Sequence, residues 1–222
     1  MATKVFLDAE TLPPEKDDPL IRDRVADWTE GEFRKLALNA QYGRLLCIGV
    51  IIEEDNKVIR QGVLGRDKHT DQFHLDEERT LRSFWRLLAR FDSRCDLLIG
   101  FNVLDFDLHF IHTRTMIKRV KPSFEMCFAR FRQQPVFDCM WAFTHWRYRI
   151  KLDDLARILG LESSKQKGVS GGQVYDLFLE GRHQEICDYV MRDCACTRAI
   201  YYRMNFLEEN DSFWSNPKSE PD

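Results

Sequence analysis

No stretch of this 222-residue sequence stays apolar for anything near the ~20 residues that a membrane span needs. Met1-Ala2-Thr3-Lys4 leads straight into a β-like run, without the charged-then-apolar order of a signal peptide. The seven cysteines are odd in number and contain no Cys-x-x-Cys pair, so neither a disulfide framework nor a zinc ribbon is indicated, and a reducing cytoplasmic setting is expected. No Walker-type or Gly-x-Gly-x-x-Gly segment follows a strand, which removes the common nucleotide-cradling loops. Internal repeats are absent. Strong net charge is absent as well, at -3, but residues 112–151 hold nine Lys/Arg against two acids, a surplus of +7 that leaves -10 for the remainder. A near-neutral total therefore hides a basic region. What remains is a chain with 44% hydrophobic residues, long enough to bury roughly 70% of its extended surface around one core.

The pattern along the chain predicts alternating strands and helices. Lys4-Val5-Phe6-Leu7 reads as a buried strand that ends in Asp8-Ala9-Glu10-Thr11. Residues 13–40 are charge-rich and weakly periodic, an inserted segment with a helical stretch around 31–38. Residues 44–52 and 57–64 flank the turn at 53–56 as a hairpin. Apolar positions recur at helical spacing from Asp76, a predicted cap, to Phe91. A short strand at 96–101 precedes a helix that runs through about Arg119 and stops at Pro122. A β-like 135–137 is followed by helices near 138–148, 152–160, 172–180 and 183–207, and the polar tail 208–222 is expected to be disordered. Such an order implies an α/β fold, a mixed sheet with helices on both faces.

Three groups of acids stand out. Asp8 and Glu10 are two apart on a strand, so both carboxylates point the same way, and two close anions repel unless a cation joins them. In the last helix Ile186, Tyr189, Val190, Asp193, Thr197, Ile200 and Met204 follow spacings of three and four, which puts Asp193 on the core-facing stripe. A buried carboxylate there needs an arginine, hydrogen bonds or a metal shared with other acids. Between them, Gly100-Phe101-Asn102-Val103-Leu104-Asp105-Phe106-Asp107 runs out of a strand into a helix, the kind of junction where open α/β sheets place their sites. Asp105 is the candidate helix cap there, which leaves Asp107 as the free acid. Each of these acids taken alone is also consistent with a solvated strand end or a helix cap.

Taken in order, the three groups resemble the motifs of the DEDD superfamily of 3′-5′ exonucleases. Asp8-Ala9-Glu10-Thr11 is similar to the first motif, Asn102-x-x-x-Phe106-Asp107 to the second, and Tyr189-x-x-x-Asp193 to the third in its tyrosine variant; no histidine lies five residues before Asp193. The likeness spans residues 4 to about 205 and is nearest to stand-alone bacterial exonucleases related to family-B DNA polymerase proofreading domains. Lys151-Leu152-Asp153-Asp154-Leu155 through Leu161, then Gly168 to Val174, resembles that group's stretch before its last motif.

The resemblance implies a ribonuclease-H-like five-stranded mixed sheet, an exonuclease domain over 1–207, and a 3′-5′ exonuclease that releases 5′-mononucleotides from single-stranded ends. It implies two ions of Mg²⁺ or Mn²⁺, with Asp8 bridging both, Glu10 and Asp193 completing one site, and Asp107 serving the other through water. Tyr189 would aim its hydroxyl at the attacking water, for which an ordinary pKa near ~10 suits it better than for taking a proton. A single strand calls for cations and flat side chains. The basic region offers Arg114, Lys118, Arg119 and Lys121, then Trp146-Arg147-Tyr148-Arg149-Ile150-Lys151, and Arg147 and Arg149 are singled out as substrate contacts with Thr11 and Asn102. Asp138 is expected to be structural. Lys165, Lys167 and Ser170 sit in a glycine-bearing loop. DNA is the expected substrate because of the polymerase relation. RNA as substrate, and a non-catalytic nucleic-acid-binding module on the same fold, are the alternatives.

Overall fold

The computed structural model describes residues 2–207 apart from positions 20, 26, 68 and 165–170, with the side chains of residues 24 and 25 also left out. The expected tail at 208–222 and the loop residues Lys165, Lys167 and Ser170 lie outside the described residues.

Five strands form one sheet in the order β3-β2-β1-β4-β5, where β1 is Thr3–Leu12, β2 Arg44–Glu54, β3 Lys57–Leu64, β4 Leu97–Gly100 and β5 Val136–Asp138. β1, β2 and β3 are antiparallel, whereas β1, β4 and β5 are parallel. The β2–β3 loop is the pair Asp55-Asn56, both at positive φ (50° and 61°), as a two-residue hairpin between right-twisted strands demands and as Asp and Asn tolerate. The parallel strands need crossovers, and these come from α3 (Glu77–Leu87), α4 (Asp107–Ile117) and their loops. Short helices α1 (Arg22–Val25), α2 (Glu30–Lys35), α5 (Cys139–Thr144), α6 (Leu152–Ile158) and α7 (Val174–Leu179) surround the sheet, and the long α8 (His183–Met204) lies across one face.

The period-two pattern of β1 decides which side chains meet which helix. Val5, Leu7 and Ala9 pack with Leu81, Phe84, Leu108 and Ile111 of α3 and α4. Phe6 packs on the opposite face with Leu155 of α6 and with Cys194, Ile200 and Tyr201 of α8, and Leu12 packs there with Ile186 and Val190. Asp8 and Glu10 continue the Phe6 row, so the strand turns both carboxylates toward α8. This mixed sheet, with helices on both faces and three antiparallel strands leading into two parallel ones, is the ribonuclease-H-like arrangement.

Several boundaries differ from the sequence reading. β1 continues through the acids to Leu12 because β2 pairs with it all the way, with an irregularity between Glu10 and Thr11. α4 ends at Ile117, well before Pro122. Arg119 takes a left-handed φ of 54°, its N–H bonds the Met116 carbonyl and the Val120 N–H bonds the Thr115 carbonyl, a Schellman stop that needs no proline. The segment after β1 is docked rather than loose. Thr29 and Glu32 cap α2 reciprocally, Phe33 and Leu36 pack with Ile21 against Tyr42 and Tyr175, and Arg34 pairs with Asp176 of α7 at 2.7 Å.

Candidate active site

The site forms where the carboxyl-side half of β1 passes beneath α8. Asp8, Glu10 and Asp193 each offer a carboxylate oxygen, and these oxygens lie within 4.8 Å of one another. Glu10 and Asp193 are 8% and 7% exposed, while Asp8 keeps a larger opening to solvent. Close approach of the helix is made possible by Gly49, the β2 partner of Asp8: a Cβ there would stand 3.0 Å from both Cys194 Sγ and Val190 Cγ2. Gly49 was not singled out from the sequence, although a glycine inside an apolar strand is the usual sign of such an approach.

Asp107 joins from α4. The β1–β4 pairing ends at Phe6–Ile99, and beyond it the Ala9 N–H finds no strand partner; the Asp107 carboxylate accepts it at 2.9 Å. Asp107 is therefore both 2% exposed and tied to the strand that carries Asp8 and Glu10. The expected cap at Asp105 is corrected. The residue before α4 is Phe106, with no side-chain cap, and Asp105 instead accepts from Arg130 at 2.7 Å and Arg149 at 2.8 Å. Two guanidiniums outcompete the helix N–H groups for that carboxylate. Asp138 has the structural task expected of it. Its oxygens accept from Asn102 and Leu104 N–H groups as well as from Met140 and Trp141, so it caps α5 and fixes the β4–α4 loop at once.

Electrostatics separates these acids from the other buried ones. Glu53 accepts from Arg198 and from the Tyr202 hydroxyl. Glu77 is bidentate with Arg114, Asp96 accepts two backbone N–H groups, and Asp153 pairs with Arg157 at 2.6 Å. No ion pair among the described residues involves Asp8, Glu10 or Asp107. Burial, then the neighbouring Asp107, Asp193 and Glu10, raises Asp8 well above the ordinary carboxylate range. Burial and then Asp193 and Asp107 do the same to Glu10. Asp107 is pushed up to about 8, chiefly by burial, against the pull of the hydrogen bonds from Ala9 and its own backbone. Mutually repelling carboxylates held close together are an all-oxygen donor set suited to a hard divalent ion.

Tyr189 sits one turn before Asp193 on α8, buried, with its hydroxyl against the Asp193 carboxylate. Burial first, then Asp193, Glu10 and Asp8, drives its pKa far above the ordinary phenol, so it keeps its proton. Cys47 and Cys194 nearby are likewise raised by burial and by these acids, and stay neutral thiols.

The expected substrate contacts fall in different settings. The Thr11 hydroxyl donates to the Ala37 carbonyl at 2.6 Å, which ties β1 to the segment after it. Asn102 adopts a left-handed φ of 59°, and its buried Oδ1 has no hydrogen-bond partner among the described residues. Arg147 and Arg149 are exposed, the latter on Asp105 and over the Trp141 ring. Arg114 is corrected: it is buried, with Nε and Nη2 on Glu77 at 2.7 Å, and Lys118 approaches the same carboxylate. Within the basic region Arg114 is thus buried and structural, whereas Lys118, Arg119, Lys121 and the arginines on the loops around α5 are exposed.

Comparison with known proteins adds the following. No curated protein matches the sequence. Two solved structures of E. coli exonuclease I are distantly alike. One is in complex with a 5cy-dT13 oligonucleotide, at 13% identity and a TM-score of 0.49, and covers 93% of this chain and 40% of that one. The other is in complex with a 5cy-dA13 oligonucleotide, at 15% identity and a TM-score of 0.44, covering 94% and 41%. The chain spans about two fifths of the length of each. A family model described as a predicted 3′-5′ exonuclease related to the exonuclease domain of PolB matches residues 37–213, a stretch that includes Asp107, Tyr189 and Asp193 but not Asp8 or Glu10. The match takes in most of the sequence, and the chain belongs to this family of DEDD-type 3′-5′ exonucleases.

Proposed function

We propose that the chain is a tyrosine-type member that hydrolyses single-stranded DNA from its 3′ end to 5′-mononucleotides, with Asp8, Glu10, Asp107 and Asp193 holding two ions of Mg²⁺ or Mn²⁺. The observation that carries this reading is the meeting of Asp8, Glu10 and Asp193 oxygens within 4.8 Å, with no arginine or lysine partner at Asp8 or Glu10 among the described residues. All-oxygen donors favour Mg²⁺ and Mn²⁺ over softer metals. When bound, such ions supply the positive charge that activates water and stabilises the leaving oxygen of a phosphodiester.

The protein's own part is positional. Asp8 is the least buried of the three metal-facing acids, whereas Glu10 and Asp193 are almost fully enclosed. Asp107 holds β1 through Ala9 and so keeps Asp8 and Glu10 in register with α8. Tyr189, with its hydroxyl against the Asp193 carboxylate, orients the attacking water through its phenolic oxygen without deprotonating it. Asn102 is a substrate contact through its unpartnered Oδ1, Arg147 and Arg149 contact the strand's phosphates, and Thr11 acts by keeping the end of β1 in place. The preference for DNA rests on the family's relation to a polymerase exonuclease domain.

The test uses matched single-stranded DNA and RNA oligonucleotides, labelled at either end, with free or blocked 3′ termini, in EDTA, Mg²⁺ or Mn²⁺. The reading expects mononucleotide release from free 3′ ends of DNA in Mg²⁺ or Mn²⁺ only. Cleavage of blocked strands, metal-independent cleavage, or faster turnover of RNA would contradict it.

A further inference from the structure

Outside the acidic cluster, the described residues carry one surface where exposed aromatics, arginines and strained backbone coincide. Phe131, on the loop between α4 and β5, is 78% exposed at a left-handed φ of 61°. Its ring lies 5.0 Å from that of Trp146, which is also left-handed at 62° and stacks on Trp141 at 5.3 Å with an interplanar angle of 5°. His145 before it is left-handed as well. Bulky residues at positive φ cost free energy and persist where the surroundings enforce them, often at binding sites. Tyr148, two residues on, is 57% exposed.

Charge points to the occupant. Arg130, Arg132, Arg147, Arg149 and Lys151 are all exposed on the two loops that carry these rings, and Asp105 accepts from Arg130 and Arg149. Arg130 and Arg149 come from two different loops and converge on Asp105, which stands two residues before Asp107. The pair of loops is thereby anchored to the same turn that delivers Asp107 to the acidic cluster. A guanidinium bound to a carboxylate through one nitrogen keeps further N–H groups for a phosphate. Sequence-tolerant holding of a single strand combines such cations with flat rings on which bases stack.

We propose that this shelf, Phe131 and Tyr148 flanked by Arg130, Arg132, Arg147 and Arg149, is the track for the single-stranded DNA that lies 5′ of the nucleotide being removed, with Asp105 as the positioning residue that holds its two loops to the active site. The proposal rests on the function given above and adds to it where the remainder of the strand runs. Bases stack on the two exposed rings while the arginines meet the intervening phosphates. It follows that long strands gain affinity from the shelf and that strands trimmed too short to reach it do not.

The experiment separates this from the catalytic reading by measuring binding without turnover. Fluorescence anisotropy of a labelled oligo-dT strand in EDTA is recorded for the wild-type chain, Phe131→Ala, Tyr148→Ala and the double variant, alongside KM and kcat in Mg²⁺ on long and very short strands. Both side chains are exposed, so the folded chain is expected to survive the changes, and far-ultraviolet circular dichroism checks it. Each single variant is expected to weaken long-strand binding about tenfold and to raise KM by a similar factor with kcat unchanged, while the shortest substrates are turned over as before. Arg132→Ala or Arg147→Ala is expected to lower the slope of log affinity against log salt by about 0.7 per lost phosphate contact. Asp105→Asn is expected to raise KM for long strands without altering kcat on short ones. Wild-type affinity in the aromatic variants, equal loss on long and short strands, or equal binding of duplex DNA would overturn the proposal. If oligo-dT binds in EDTA through the shelf and no nucleotide is released in Mg²⁺, the shelf stands and the hydrolytic reading falls.

Discussion

Replacing Asp8 with Asn should make the metal-free protein more stable at alkaline pH while abolishing its response to divalent ions. Carboxylate oxygens within 4.8 Å at an effective dielectric of about 20 repel by roughly 3.5 kcal/mol per ionised pair. Protonation relieves part of this, because Asp8, Glu10 and Asp107 are all raised by burial and by neighbouring carboxylates. A carboxyl raised in the folded chain binds its proton more tightly there than when unfolded, so folding loses stability as pH climbs from the unfolded value near ~4 toward the folded one. For Asp107 that window closes at about 8. The buried amide introduced by Asp8→Asn costs roughly 1–2 kcal/mol in imperfect hydrogen bonding. The balance is roughly 1–2 kcal/mol against the variant at pH 5, where the protonated cluster repels little, and about 2 kcal/mol in its favour at pH 8. In a domain of this size that is a rise in Tm of roughly 4–8 °C. Differential scanning calorimetry in EDTA at both pH values measures it. Saturating Mg²⁺ or Mn²⁺, at about 100 times its Kd, should add roughly 2.7 kcal/mol to the wild-type chain and little to the variant. A variant that melts below wild type at pH 8, by as much as at pH 5, and that is stabilised equally by Mn²⁺, would refute the reasoning.

Other substitutions divide positioning from chemistry. Asp107→Asn keeps an oxygen for the Ala9 N–H and should fold normally with its Mn²⁺ response lost, whereas Asp107→Ala should also lose about 1–3 kcal/mol in denaturant melts. Gly49→Ala sets a methyl against Cys194 and Val190, costing about 1–3 kcal/mol, and should reduce nuclease activity at least tenfold by displacing α8; adding Val190→Ala should restore part of it. Tyr189→Phe should lower kcat by about 10²-fold with KM nearly unchanged in steady-state assays, since a hydroxyl that orients the reacting water is removed and no strand contact is. Arg114→Met strands Glu77 in the interior and should cost about 3–5 kcal/mol by urea unfolding, without the activity loss specific to the acidic cluster.

Local patterns in the sequence were sufficient where local physics decides. The Asp76 cap of α3, the hairpin turn before Lys57 and the limits of β3 follow from capping, turn chemistry and alternation, and the structure has them. The facing of Asp8 and Glu10 toward α8 follows from strand period alone, and Asp193 on the inner stripe follows from helix period. What was not legible depends on partners far away in the chain. Arg114 looked like part of a basic face, and only the meeting of α3 with α4 shows it buried on Glu77. Asp105 looked like a cap until two loops, 25 and 44 residues away, delivered arginines to it. Thr11 fastens to Ala37 because the intervening segment folds back on β1, a return that its weak periodicity did not announce.

Direct counting of bound Mn²⁺ tests the central claim most closely. Electron paramagnetic resonance titration of the wild-type chain, Asp8→Asn and Asp193→Asn at pH 8 should give two Mn²⁺ per chain for wild type and a loss of tight binding in both variants. Absence of Mn²⁺ binding by the folded wild-type chain, or binding that is unchanged by both substitutions, would contradict the account.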